Sequence, residues 1–66
     1  MKNFYIEVNG MTIKDYQMFM PAYKLFLAKS RNKNAVVNMY ELKSHAFGIH
    51  CCDDHYILIE SNSNNN

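Results

Sequence analysis

The stretch HAFGIHCCDDHYILIE, residues 45–60, holds the densest apolar alternation of the chain together with all of its histidines and cysteines. Runs of β-forming residues lie on either side of Asp53 and Asp54, a pair that suits the loop of a short hairpin. The pattern therefore predicts a β-hairpin that turns at these two residues. Its register places these pairs opposite one another: Cys52 and His55, Cys51 and Tyr56, His50 and Ile57, Ile49 and Leu58, and Phe47 and Glu60.

Such a hairpin has two different faces, because successive side chains of a strand point in opposite directions. The face expected to pack on a core holds Phe47, Ile49, Cys51, Tyr56 and Leu58. The opposite face holds Gly48, Ile57 and Ile59 together with His50, Cys52 and His55. These last three residues form the one group in the sequence that resembles a chemical site.

Upstream, Asn9 and Gly10 separate two alternating apolar runs. Asn-Gly is the preferred type I′ hairpin turn, so the sequence predicts a hairpin between residues 4 and 15. Its shared apolar face is expected to hold Phe4, Ile6, Val8, Met11 and Ile13. An alternative starts a helix at Thr12, but Pro21 would then lie inside it at a cost of about 3 kcal/mol, which favours the hairpin.

From about Met18 to Ser30 the apolar spacing becomes helical. One side of this predicted amphipathic helix is expected to hold Phe19, Met20, Tyr23, Phe26, Leu27 and Ser30. Pro21 is tolerated if it lies in the first turn, and Arg31 places positive charge at the C-terminal end.

The run from Ala35 to Leu42 is rich in β-forming residues, and Lys43 and Ser44 provide a short turn into the 45–60 hairpin. A three-strand meander follows from this, with Tyr40 opposite Phe47 and Val36 opposite Cys51. The predicted fold is a small two-layer α+β domain over residues 1–60, in which one helix covers one face of an antiparallel sheet. The polar tail 61–66 is expected to be disordered.

Composition limits the functions that the chain can perform. A domain of 66 residues buries only about 60% of its unfolded surface, which leaves little room for a substrate or cofactor pocket. We therefore expect no enzymatic activity and no cofactor. The net charge of +1 gives no general signature of a nucleic-acid or membrane binder. No segment has the length of a signal-peptide core or a membrane span, and vicinal cysteines close no useful loop, so a cytoplasmic protein with reduced thiols is expected.

The sheet face that the helix leaves uncovered is the expected binding surface for a protein partner or a second copy of the chain. It is predicted to hold Val37, Met39, His50, Cys52, His55, Ile57 and Ile59. The abundance of Asn, Lys, Ile and Tyr is typical of AT-rich genomes. By analogy, it points to a phage or mobile-element accessory protein that binds and inhibits a host factor.

Two alternative functions remain at the level of the sequence. Single-stranded nucleic acid would contact basic residues near the helix end and stack on Tyr5, Tyr16 or Tyr40. The basic residues are Lys24, Lys29, Arg31, Lys33 and Lys43. A zinc ion would be bound by His50, Cys52 and His55, although structural zinc sites normally bring a second pair of ligands. Cysteine catalysis by Cys52 and His55 lacks an evident pocket and oxyanion hole.

Overall fold

The computed structural model describes residues 3–43, 46–47, 50–51 and 55–63, and the two short middle pieces are described through their backbone alone. The elements in chain order are β1 (Phe4–Val8), β2 (Met11–Tyr16), α1 (Phe19–Ser30), β3 (Val37–Lys43), β4 (Ala46–Phe47), β5 (His50–Cys51) and β6 (His55–Ser61). Within these residues, four strands form an antiparallel sheet in the order β2-β1-β3-β6. Helix α1 packs on β1, β2 and β3. The predicted α+β class, with an N-terminal hairpin and one helix on the sheet, is confirmed.

The N-terminal hairpin turns at Asn9 and Gly10, which both have positive φ, 52° and 85°. These values are those of the type I′ turn that Asn-Gly predicts, and residues 11–16 are a strand rather than the start of a helix. A bulge shifts the register after Ile6, which pairs with Lys14 instead of Ile13. The expected common face is therefore wrong for Ile13, whose side chain is 43% exposed.

Helix α1 begins at Phe19, so Pro21 falls in its first turn, where no intrahelical hydrogen bond is required of it. The helix is confirmed, but its buried side differs from the prediction. Ala22 and Phe26 are buried, whereas Met20 and Leu27 are exposed. Ala22 is fully buried on the side that packs on the sheet, and at about 100° per residue Met20 and Leu27 lie on the other side of the helix.

In the described part of the chain, no helix is long and apolar enough to cross a bilayer.

The C-terminal strands pair differently from the predicted meander. Strand β3 pairs directly with β6, and β4 pairs with β5 in a separate two-stranded ladder. Tyr40 therefore lies opposite Leu58 instead of Phe47, and Tyr56 opposite Leu42 instead of Cys51. Both β3 and β6 are seven residues long, so their direct pairing satisfies the backbone groups that the two strands turn toward each other along their whole length. The predicted turn residues Asp53 and Asp54 lie outside the described residues.

The core lies between α1 and the two central strands. Its fully buried sheet residues are Ile6, Val37 and Met39, which pack with Ala22 and Phe26. Partly buried side chains around this cluster are Phe4, Val8, Tyr16, Tyr23, Leu25 and Ile59. The prediction that Val37 and Met39 lie on the uncovered face is wrong. Their positions opposite Val8 and Ile6 place them on the face that the helix covers.

The start of the polar tail is part of the fold. Ser61 is the last residue of β6, and the side chain of Asn62 accepts a hydrogen bond from Val37 N and donates one to Ala35 O, at 2.6 and 3.0 Å. The backbone N–H of Asn62 also donates to Val37 O. The expectation of disorder is therefore wrong for Ser61 and Asn62, because these bonds attach Asn62 to the start of β3. Residues 64–66 lie outside the described residues.

Candidate functional site

The sheet face opposite α1, which we call the open face, is rich in aromatic side chains. Strand pairing places Tyr5, Tyr40 and Leu58 side by side across three strands, and Leu42 beside Tyr56. No described helix packs on this face. A contiguous aromatic and aliphatic surface of this kind is a candidate site for an interaction.

A groove of about 310 Å³ lies on the open face. It is lined by Tyr5, Glu7, Thr12, Tyr40 and Tyr56. The rings of Tyr5 and Tyr56 meet edge to face, with centroids 5.2 Å apart and an interplanar angle of 78°. This geometry is a favoured one for aromatic pairs and fixes both rings across β3, which lies between their strands.

Charge is distributed unevenly between the two layers. Glu7 and Asp15 both lie on the open face, because Glu7 is opposite Asn38 and Asp15 is opposite Tyr5. The Oε1 atom of Glu7 accepts a hydrogen bond of 3.1 Å from the Asn38 side chain, which orients the carboxylate. Lys14 lies on the helix side of the sheet, with its ammonium 6.0 Å from the Tyr16 ring centroid. Among the described residues, the open face therefore combines aromatic side chains with the carboxylates of Glu7 and Asp15.

Strand β6 forms one edge of the four-stranded sheet. Three consecutive apolar residues of this strand are exposed: Tyr56 by 60%, Ile57 by 43% and Leu58 by 51%. Since successive side chains alternate, the exposed run covers both faces of the edge. Among the described residues, no strand pairs with the outer edge of β6, and such an edge is a template for another strand.

The structure places the predicted partner-binding residues in different environments. His55 and Ile57 are exposed on β6, whereas Ile59 is partly buried against the core. Val37 and Met39 are fully buried in the core. His50 is described only as a backbone position of β5, opposite Phe47, and Cys52 lies outside the described residues.

Sequence reasoning missed the open face because it placed the helix on the wrong face of β3 and β6. Tyr5, Tyr40, Tyr56 and Leu58 are its main side chains, and Tyr56 and Leu58 were expected in the core. The alternation of Tyr5 with Phe4 and Ile6 indicates that Tyr5 lies on the face opposite these two apolar residues. This identifies the neighbours of Tyr5 only when β3 is paired with β1 in the correct register.

The zinc hypothesis stays a prediction. Among the residues that the structure describes, no three His, Cys, Asp or Glu side chains come together as metal ligands. Of the predicted ligands, only His55 has a described side chain, at the start of β6 and opposite Lys43.

The predicted nucleic-acid residues do not form one surface. Lys24 and Lys29 are exposed on α1, Arg31 and Lys33 follow its C-terminal end, and Lys43 lies at the far end of β3. Tyr5 and Tyr40 belong to the open face on the other layer, and Tyr16 packs against the core. A strand of nucleic acid stacked on Tyr5 or Tyr40 would thus lie across the sheet from the basic residues of the helix.

Comparison of the chain with models of protein families, with curated proteins and with solved structures gave no match.

Proposed function

We propose that this chain is a small non-enzymatic protein-binding module that engages its partner through β6 and the adjoining open face. The observation that supports this proposal is the exposed run of Tyr56, Ile57 and Leu58 on an edge strand. Edge strands of natural sheets are usually protected by charges, prolines or covering segments, because an apolar edge recruits other strands. An apolar edge is therefore expected to have a binding role.

The proposed mode of binding is strand addition. A strand of the partner pairs with the outer edge of β6, main-chain hydrogen bonds supply affinity, and alternate side chains supply specificity. Its side chains on one face cover Tyr56 and Leu58, and those on the other cover Ile57. Because roughly half of each of these side chains is exposed, covering one contributes roughly 1 kcal/mol.

The partner in this proposal is a host protein, and a second copy of the chain is the related case. Two copies that pair β6 with β6 around a two-fold axis would form an isologous homodimer. A more specific form of the proposal is that the chain is a phage or mobile-element accessory protein that inhibits a host factor in the cytoplasm. It is supported by the composition of the sequence and by analogy.

A matched pair of substitutions tests the role of β6. Ile57 and Ile13 are both 43% exposed and lie on the two opposite edge strands of the sheet. Ile57→Lys introduces an edge charge that blocks strand addition, while Ile13→Lys makes the same chemical change on β2. We expect Ile57→Lys to weaken partner capture or self-association at least tenfold and Ile13→Lys to leave it close to wild type.

The measurements are light scattering of the purified protein and affinity capture from a host-type lysate, with circular dichroism to confirm that both variants fold. A strictly monomeric wild type that captures nothing would contradict the proposal. Equal loss of binding in the two variants would exclude β6 as the specific binding edge.

A further inference from the structure

We infer that the groove on the open face binds an arginine side chain of the partner, with its guanidinium held among Tyr5, Tyr40 and Tyr56 and paired with Glu7. This inference rests on the proposed function, because it specifies the chemistry of the partner segment that β6 recruits. The groove and its carboxylate are independent of the exposed run on β6, apart from Tyr56, which belongs to both.

The aromatic walls suit a delocalised cation. The face of a tyrosine ring attracts a cation through its quadrupole, and guanidinium combines this attraction with planar stacking. The edge-to-face contact of Tyr5 with Tyr56 holds two of the three rings in place before a ligand arrives. A groove of about 310 Å³ is ample for one long side chain and is at the small end of the range for ligand sites, about 300–1,000 Å³.

Glu7 supplies the complementary charge at the end of the groove formed with Thr12. Its Oε1 atom accepts a hydrogen bond from Asn38 Nδ2. Because the two oxygens of a carboxylate provide about four acceptor positions, this bond leaves capacity for a guanidinium N–H. Because this bond already orients Glu7, its side chain loses less conformational entropy when the ion pair forms.

The described cations of the protein lie away from the groove. Lys14 lies on the helix side of the sheet, and Lys43 forms an ion pair of 3.5 Å with Glu41 on that side. The remaining described basic side chains belong to α1 or to the turn after it: Lys24, Lys29, Arg31 and Lys33. The carboxylate of Glu7 in the groove is thus complementary to a basic side chain of the partner and repels an acidic one.

Strand addition at β6 would bring the partner next to the groove. Neighbouring strands are about 4.8 Å apart, so the first strand that a partner residue crosses on the open face is β6, which carries the groove residue Tyr56. Glu7 lies on β1, so β6 and β3 separate it from an added strand by three spacings, or about 14 Å. The arginine must therefore belong to a part of the partner that continues from the added strand across the open face.

The inference can be tested without the natural partner. Tyrosine ring signals are followed by NMR while the protein is titrated with arginine amide, and in parallel with citrulline amide, which has a similar length but no charge. We expect saturable shifts of the Tyr5, Tyr40 and Tyr56 rings with arginine amide, no comparable shift of Tyr16, and at least fivefold weaker binding of citrulline amide.

Glu7→Gln and Glu60→Gln form a matched pair for the same titration. Glutamine at position 7 keeps an oxygen that accepts the Asn38 hydrogen bond, and Glu60 is exposed outside the groove lining. We expect Glu7→Gln to weaken arginine amide binding about fivefold, the upper value for an exposed ion pair, and Glu60→Gln to leave it unchanged. Equal binding of the two amides, or an unchanged affinity of Glu7→Gln, would overturn the inference.

The outcome is separable from that of the proposed function. If arginine amide fails to bind while Ile57→Lys still abolishes partner capture, the groove assignment is rejected and the edge-strand module stands. If arginine amide binds as expected while Ile57→Lys captures the partner normally, the groove assignment stands and β6 is rejected as the binding edge.

Discussion

At the scale of single residues, Asn9 carries two structural tasks. Its left-handed backbone forms the β1–β2 turn, and its N–H and side-chain Oδ1 bond to the O and N of Val36, at 2.8 and 2.9 Å. The turn was predictable from the Asn-Gly pair, because few other residues adopt φ above zero at low cost. The bonds to Val36 were not, because they depend on how a strand 27 residues further along pairs with β1.

Substitutions of Asn9 separate these two tasks. Asn9→Ala loses the side-chain hydrogen bond. It also puts alanine in the left-handed region, where its Cβ is crowded and no polar side chain can bond locally. We expect this variant to lose about 2 kcal/mol of unfolding free energy. Asn9→Gly loses only the hydrogen bond and should cost about 1 kcal/mol or less. Urea unfolding measures both values, and a glycine variant less stable than the alanine variant would contradict this account.

Asn62 is a second residue whose contribution depends on tertiary contacts. Its side chain joins Ala35 O and Val37 N at a partly buried position. We expect Asn62→Ala to lower the free energy of unfolding by about 1–3 kcal/mol, because two partners are left without this bond. Asn34→Ala is the control, since Asn34 is exposed and uses its backbone N–H for its bond to Asn32. Equal effects in urea titrations would exclude a special role for Asn62.

At the scale of elements, the sequence predicted α1 well and its orientation poorly. The helical spacing and the position of Pro21 were sufficient to locate the helix. The side that packs on the sheet was not predictable from the apolar stripe, because the stripe is broad and includes exposed residues such as Met20 and Leu27. The fully buried Ala22 marks the side that packs on the sheet, and alanine carries little weight in a hydrophobicity pattern.

Adjacent residues of α1 test its orientation. Phe26 is 5% exposed and Leu27 is 47% exposed, although the sequence pattern placed both on the core side. We expect Phe26→Ala to cost about 3–5 kcal/mol, which is close to the whole stability of so small a domain. Leu27→Ala should cost less than about 1 kcal/mol, partly because alanine favours the helix. Thermal unfolding followed by circular dichroism distinguishes the two, and similar losses would contradict the observed packing.

The pairing of β3 with β6 shows a different limit of sequence analysis. Both segments have the composition of strands and were predicted as such, but their partners were taken from neighbours in the sequence. Pairing between neighbours requires the shortest loop, whereas the observed β3–β6 ladder encloses residues 44–54 and aligns two strands of equal length. The choice between these two pairings depends on the total length of strand ladder that each forms. Local sequence patterns do not predict this length.

At the scale of the whole molecule, one error changed the predicted binding surface: the helix was expected on the wrong face of β3. Once Val37 and Met39 face the helix, every alternate residue of β3 changes sides, and Tyr40 joins Tyr5 on the open face. The fold class survives such an error, because it depends on the kinds of elements present. The candidate site does not survive it: Val37, Met39 and Ile57 share a face as predicted, but the helix packs on that face instead of the opposite one.

The central claim is that β6 is the strand that a partner adds to, and amide hydrogen exchange tests it most directly. Exchange is compared between the free protein and its complex, or between dilute and concentrated protein when the partner is a second copy. We expect new protection at alternate backbone amides of His55–Ser61, whose outward N–H groups would bond to the added strand, and little change in Met11–Tyr16. New protection in β2 or on α1, with β6 unchanged, would contradict the account.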